Sequence, residues 1–306
     1  MNPADMPLPL PGPVATASRA LVTRWRAAAD TQGDAGSAAG ERLQAQADTD
    51  WLAEEVPVAL AFNGITHAVM LASPADLEDF ALGFALTEGL IDSPADCYGI
   101  ETQAGCGGIT LDMHIAAACA WRLKERRRNL AGRTGCGLCG TDSLAHVQRA
   151  LPPAPAVHVP PQALATAQQA LRQHQQVQQR TGATHAAAWC SLQGQVRLVR
   201  EDVGRHNALD KLIGALLRPQ PGQQLPHGPM SEGFALITSR ASFEMVQKAA
   251  AAGIGVLVAV SAPTALAVHT AQNLGVALAG FVRGTGGVAY TFAERFGLTA
   301  LTPPTH

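Results

Sequence analysis

The chain is poor in the features that would place it outside the cell or in a membrane. Six cysteines in 306 residues, at positions 97, 106, 119, 136, 139 and 190, are too few for the disulfide framework of a secreted protein. The first thirteen residues are proline-rich, contain Asp5, and lack both a basic start and an apolar run of signal-peptide length. Export by that route is not expected, and a reducing cytoplasm is. Only the stretch from Ala249 to Val268 approaches the roughly twenty apolar residues a membrane span needs. Gly253 and Gly255 break it, and Ser261-Ala262-Pro263 ends it as a helix start would, so it reads as a buried strand followed by a helix. A formal charge of -2 excludes a generally basic nucleic-acid binder, and no internal repeat is visible.

An apolar fraction of 47% is enough for a proper core. Residues 1–48, rich in Ala, Gly, Pro, Gln and Asp without sustained periodicity, are expected to remain unstructured. Order is expected from 49 to 150 as a small α+β unit. Its first signal is Asn63-Gly64 between two apolar runs, a strong hairpin mark. Ser73-Pro74 then opens a helix with Leu77, Phe80, Ala81 and Phe84 on one face, and Ile109, Leu111, Met113 and Ile115 alternate as in a half-buried strand. A helix over 116–128 and a short one from Thr141 or Asp142 to Ala150 complete this unit. The prolines of 151–165 read as a linker. From 166 to 306, a glutamine-rich helix leads into strands alternating with helices, which predicts an α/β sandwich covered on both faces.

The chemistry centres on Gly135-Cys136-Gly137-Leu138-Cys139-Gly140, which follows the basic run Arg126-Arg127-Arg128. A Cys-x-x-Cys pair can hold half of a zinc site, cycle between dithiol and disulfide, or accept and pass on a sulfur atom. No second Cys-x-x-Cys exists to complete a zinc site, leaving only His114, Cys119 and His146 as distant candidates. The strand-to-helix setting of a thioredoxin-like motif is also missing. Sulfur carriage asks for a mobile, reachable thiolate. Gly132, Gly135, Gly137 and Gly140 supply mobility, and Arg133 supplies positive charge that lowers a thiol pKa.

A second concentration of chemistry lies at strand-to-helix junctions, where α/β proteins bind anions and nucleotides. The segment Glu201 to Lys211, including Arg205, His206 and Asn207, crowds ionisable residues into one such junction. Ser239-Arg240-Ala241-Ser242 and Ser261-Ala262-Pro263-Thr264 form the next two, and three in succession point to one shared crevice. The glycine-rich turn Phe281-Val282-Arg283-Gly284-Thr285-Gly286 can bring backbone close to a phosphate.

On these residues the chain resembles the formate dehydrogenase accessory sulfurtransferase family, FdhD, over about residues 50 to 292. The resemblance rests on Glu55-Val56-Pro57, Phe62-Asn63-Gly64, Thr87-Glu88-Gly89, the Cys136 to Gly140 motif, His185-Ala186-Ala187, Asp202 to Lys211, Ser239 to Lys248 and Tyr290-Thr291. It implies a cytoplasmic protein that takes sulfur from a cysteine desulfurase and passes it to the molybdenum cofactor, bis-molybdopterin guanine dinucleotide, of formate dehydrogenase. By the same resemblance Cys136 is the persulfide carrier and Cys139 its partner, the cofactor meets Phe281, Val282, Arg283, Gly284, Thr285 and Gly286, and the protein is a homodimer with no metal of its own. Arg205, His206, Asn207, Arg240 and Ser242 are assigned to the same pocket from the junctions alone. The resemblance also implies a cytidine deaminase-like fold for the C-terminal half. A zinc deaminase needs His-x-Glu and Pro-Cys-x-x-Cys, whereas this chain has His206-Asn207-Ala208 and Ser239-Arg240-Ala241-Ser242 at those helix starts. Deamination is therefore not expected. A cofactor-binding chaperone that handles no sulfur remains the rival reading.

Overall fold

A computed structural model of the chain describes residues 15–27, 43–131, 149–218 and 230–299. The predicted hairpin forms as β3 (Val56–Phe62) and β4 (Ile65–Ala72), with Asn63 and Gly64 both at positive φ, 48° and 77°. Asn63 also ties the turn to a neighbouring strand: its Nδ2 donates to the Ile115 carbonyl and its Oδ1 accepts from the Ile115 N–H at 2.8 Å. β5 (Cys97–Gly105) and β6 (Gly108–Ile115) complete a four-stranded sheet in the order β4-β3-β6-β5, with β3 and β6 parallel. Its inner face carries Val58, Leu60 and Phe62 from β3 and the alternating Ile109, Leu111, Met113 and Ile115 from β6, all buried. The helix α2 (Ala117–Ala131) follows.

The second sheet has six strands in the order β12-β11-β10-β9-β7-β8. These are β7 (His185–Ser191), β8 (Val196–Asp202), β9 (Gly233–Ile237), β10 (Val256–Ala259), β11 (Ala277–Arg283) and β12 (Gly286–Ala289). β9, β10 and β11 are mutually parallel, while β7 opposes both β9 and β8. Strand alternation feeds two cores. Ala188, Cys190, Phe234, Leu236, Val256 and Val258 face α3 (Pro161–His174), which is followed by the short α4 (Gln176–Thr181). Ala187, Trp189, Ala235, Ile237, Leu257 and Ala259 face the other way, toward α5 (Arg205–Leu217), α6 (Phe243–Ala251) and α7 (Ala265–Asn273). The mixed, doubly covered α/β sheet read from the sequence is therefore present.

One helix joins the two sheets. α1 (Leu77–Thr87) packs on the four-stranded sheet through Phe80 and Phe84 and on α5 through its opposite side, so a single core runs between the sheets. The α1–α5 crossing is made by two glycines. A Cβ on Gly83 would overlap the Asp210 carbonyl, and one on Gly214 would overlap the Asp79 carbonyl.

Two stretches depart from the sequence reading. The segment expected to be unstructured contains β1 (Ala17–Ala27), which pairs antiparallel with β2 (Leu43–Ala53) as a separate two-stranded ribbon. Its cross-strand pairing lies between segments far apart in sequence, which a local periodicity scan does not detect. The expected linker is also not free. Val157 and Val159 are buried in the second core, Ala154 N–H donates to the Leu274 carbonyl, and α3 already starts at Pro161. Proline here fixes an extended run that packs on the sheet. Among the described residues no helix is long and apolar enough to cross a membrane, and 249–268 comprises the end of α6, β10 and the start of α7.

Candidate functional site

The directions of the strands place β8, β9, β10 and β11 with their C-terminal ends, and β7 with its first residue, at one edge of the six-stranded sheet. The junctions singled out in the sequence all lie there, and backbone hydrogen bonds chain three of them together. Ala241 N–H donates to the Ala262 carbonyl, Thr264 N–H to that of Ala241, and Phe281 N–H to that of Ser261. Backbone hydrogen bonds thus join the segments that follow β9 and β10 to each other and to the end of β11.

The acidic and basic groups of the β8–α5 junction separate into two roles. Asp202 and Lys211 are fully buried and pair at 2.6 Å; Lys211 also donates to the Ser73 carbonyl, and Asp202 accepts from Ser73 N–H and Gly204 N–H. Asn207 is buried beside them, its amide donating to the Leu71 carbonyl and to Asp202. The structure therefore spends Asn207, assigned to the cofactor pocket from its position, on joining β4 to α5. A buried pair of this kind is costly to break from one side only, by about 3–5 kcal/mol. A second cluster locks α1 to α5 and α6. Lys248 donates to Thr87 Oγ1, Glu88 and Asp210, while Thr87 Oγ1 donates to Asp210 at 2.8 Å. Burial pulls the Lys248 ammonium down, but Asp210 and Glu88 together hold it above the ordinary lysine range.

Arg205 and His206 stay at the edge, half-buried. His206 Nε2 sits 2.6 Å from Glu244 Oε2. Burial lowers the His206 pKa, with Glu244 opposing and Arg205 and Lys248 adding to the effect. His185, across the ladder from Asp202, is likewise lowered by burial and by the Arg205 charge. Arg205 Nε and Ser242 Oγ are buried without a hydrogen-bond partner. Polar atoms in that state are uncommon in a finished interior and mark a place where a ligand or water completes the set. Arg240, Arg283, Gly284, Thr285 and Gly286 are exposed along the same edge; Val282 is buried in the second core. Phe281 is 47% exposed and adopts φ 54°, a left-handed backbone rare for an aromatic residue. The edge thus offers three arginines, two histidines and unpartnered donors, against one half-exposed carboxylate, Glu244. This donor set suits phosphate.

His185 and Glu244 join this site although the sequence reading gave them no role. The signal for His185 was its place as the first residue of a strand neighbouring the crowded junction. Cys136, Cys139, Arg133 and His146 lie outside the described residues. Of the distant zinc candidates, His114 is half-exposed and lies 3.2 Å from Glu101. Cys119 lies beside Asp92 and Asp96, where the Arg122 guanidinium meets both Asp92, at 2.6 Å, and the Cys119 sulfur, at 3.3 Å.

The fold has a solved counterpart. A protein from Desulfotalea psychrophila described as a formate dehydrogenase accessory protein superposes with a TM-score of 0.63 over 82% of this chain and 93% of its own, at 21% sequence identity. Among named relatives, Sulfur carrier protein FdhD of Bordetella petrii is 56% identical over 260 residues, 85% of this chain and 91% of the relative. The protein of the same name from Variovorax paradoxus is 57% identical over 254 residues, 83% of this chain and 89% of the relative. The model of the FdhD/NarQ family matches residues 53–297, which span both sheets and every helix described above, and the chain belongs to that family.

Proposed function

We propose that this chain is a cytoplasmic sulfur carrier that serves formate dehydrogenase. The Cys136 thiolate attacks the terminal sulfur of a cysteine desulfurase persulfide; that S–S bond breaks, the desulfurase thiolate leaves, and the sulfur remains on Cys136 as a persulfide. Cys139 then attacks Cys136 Sγ, expelling the terminal sulfur as hydrosulfide toward the molybdenum of bis-molybdopterin guanine dinucleotide. The resulting Cys136–Cys139 disulfide is returned to two thiols by a cellular dithiol. The carrying observation is the Cys136-Gly137-Leu138-Cys139 motif within a chain more than half identical to relatives that bear the sulfur carrier name.

The acceptor is a substrate of the reaction, and its phosphates match the donors at the sheet edge. Arg205, Ser242, Arg240 and the turn from Phe281 to Gly286 bind and orient it. The strand order β8-β7-β9-β10-β11, with β7 reversed, supports the deaminase-like architecture. The absence of His-x-Glu at α5 argues against deaminase chemistry on it.

The test is mass spectrometry of the full chain after incubation with a cysteine desulfurase and cysteine, beside Cys136→Ala and Cys139→Ala. One added sulfur on the peptide containing position 136, lost in Cys136→Ala, is the expected result. No added sulfur with an active desulfurase replaces this reading with that of a cofactor chaperone, which would keep its function without either thiol.

A further inference from the structure

Helix α2 is packed on one side only. Cys119 and Leu123 are buried in the core shared by the two sheets, and Arg122 ties the helix to Asp92 at 2.6 Å. The other side, with Ala117, Ala118, Trp121 and Lys124, faces water. Positions 117, 121 and 124 follow the three-and-four spacing of a single helical stripe, and Trp121 at its middle is 64% exposed. A second aromatic stands at the foot of the helix. Tyr98, 73% exposed, adjoins Cys97, which pairs with Ile115 just before α2, and Ala116 N–H donates to the Asp96 carbonyl at the same place. The charge of this stretch has one sign in excess: from Lys124 to Arg128 the sequence carries four cations against one carboxylate, Glu125.

Tryptophan and tyrosine are the side chains that most often dominate binding energy between proteins, and small neighbours such as Ala117 and Ala118 let a partner approach the ring closely. The helix also fixes where any partner of Cys136 must stand. Five residues lead from its last residue, Ala131, to Cys136, a reach of at most about 18 Å. Trp121 lies about 15 Å back along the helix from Ala131 at 1.5 Å per residue. An interface of ordinary size takes about 800 Å² from each partner, roughly 30 Å across. A protein that brings a reacting sulfur to Cys136 therefore has Trp121 within its footprint, and the excess of positive charge selects an acidic one.

We propose that the outer face of α2, with Trp121 at its centre and Tyr98 and Lys124 at its rim, is the docking surface for the sulfur-donating protein, which presents acidic side chains around an apolar pocket for the Trp121 ring. The inference rests on the proposed sulfur carriage and adds to it where the donor lands and what chemistry the donor must present.

Comparison of two donors tests it. A cysteine desulfurase supplied with cysteine has to dock, whereas glutathione persulfide reaches Cys136 by diffusion; in both cases the Cys136 thiolate takes the terminal sulfur and the donor thiolate leaves. Sulfur on the peptide containing position 136 of the full chain is followed by mass spectrometry as the desulfurase concentration is varied. Trp121→Ala is expected to raise the half-saturating desulfurase concentration at least tenfold, with the rate from glutathione persulfide and the Tm unchanged. Lys124→Glu should raise it as well, and should flatten its rise with salt between about 50 and 500 mM. Val69→Ala, exposed on β4 at the sheet edge opposite β5, should change neither. A Trp121→Ala chain that takes sulfur from the desulfurase as the parent does overturns the docking surface and leaves sulfur carriage standing. Equal losses with both donors also overturn it, because they place Trp121 in the handling of Cys136 rather than in docking. Salt-independent uptake by the parent overturns the acidic partner. A parent chain that takes no sulfur from an active desulfurase overturns the proposed function and this surface together.

Discussion

Gly214→Ala tests the joint between the two sheets. An alanine Cβ there would stand 2.6 Å from the Asp79 carbonyl carbon and 2.9 Å from its Cα, where ordinary van der Waals contact is 3.4–4 Å. The obstacle is helix backbone, which cannot swing aside, so α1 and α5 must part by about 1 Å. Overpacking of this kind costs up to about 3 kcal/mol, and alanine recovers about 0.5–1 kcal/mol of helix propensity relative to glycine. The net expectation is destabilisation by about 2 kcal/mol, or a Tm lowered by roughly 3 °C for a chain of this size. Urea denaturation followed by circular dichroism, together with a thermal scan, reads it. Gly83→Ala should behave alike, and the double variant should lose less than the sum, because the first Cβ already opens the space for the second. A Gly214→Ala protein as stable as the parent would refute the close crossing.

Other consequences are equally direct. Lys248→Met leaves Asp210 charged and buried without its cation and should cost about 3–5 kcal/mol in urea denaturation, whereas adding Asp210→Leu should restore much of the loss. Gly64→Ala meets open space, so only the left-handed φ of 77° opposes it, and a loss of about 1 kcal/mol is expected. Because burial lowers the His206 pKa, its contribution to stability is complete above the ordinary imidazole value of 6.5 and is lost as pH falls from there through the folded value. Tm measured across that window should fall less steeply for His206→Gln than for the parent. Cys190, fully buried with its pKa pushed up to about 12, should resist iodoacetamide in the native protein while the exposed Cys106 reacts; peptide mapping before and after unfolding separates the two.

Local signals in the sequence translated well into local structure. Asn63-Gly64 made its turn, and the alternation from Ile109 to Ile115 made a strand. The junction residues reached one sheet edge because parallel strands deliver their C-terminal ends together. What stayed hidden depended on partners distant in the chain. Asp202, Asp210 and Lys211 looked like members of a crowded site, but the turn of α5 carries them inward to Ser73, Thr87 and Lys248. Val157 and Val159 sat among prolines whose composition resembles a linker, although their alternation serves the second core. The ribbon escaped notice because its apolar residues are diluted by alanine and threonine and its strands are separated by fifteen residues, 28–42.

The contacts that close α1 onto α5 and α6 join residues 123 to 161 positions apart. On a ribosome adding about 5–20 residues per second, α1 emerges roughly 6 to 30 s before the helices that cover it. For that interval Phe80 and Phe84 have only the four-stranded sheet to shelter them, and the buried partners Ser73, Asp79 and Thr87 have no ion to meet. The N-terminal half is thus the exposed, aggregation-sensitive stage of synthesis. Variants that weaken the α1–α5 crossing should reduce soluble yield more than their equilibrium stability alone would indicate.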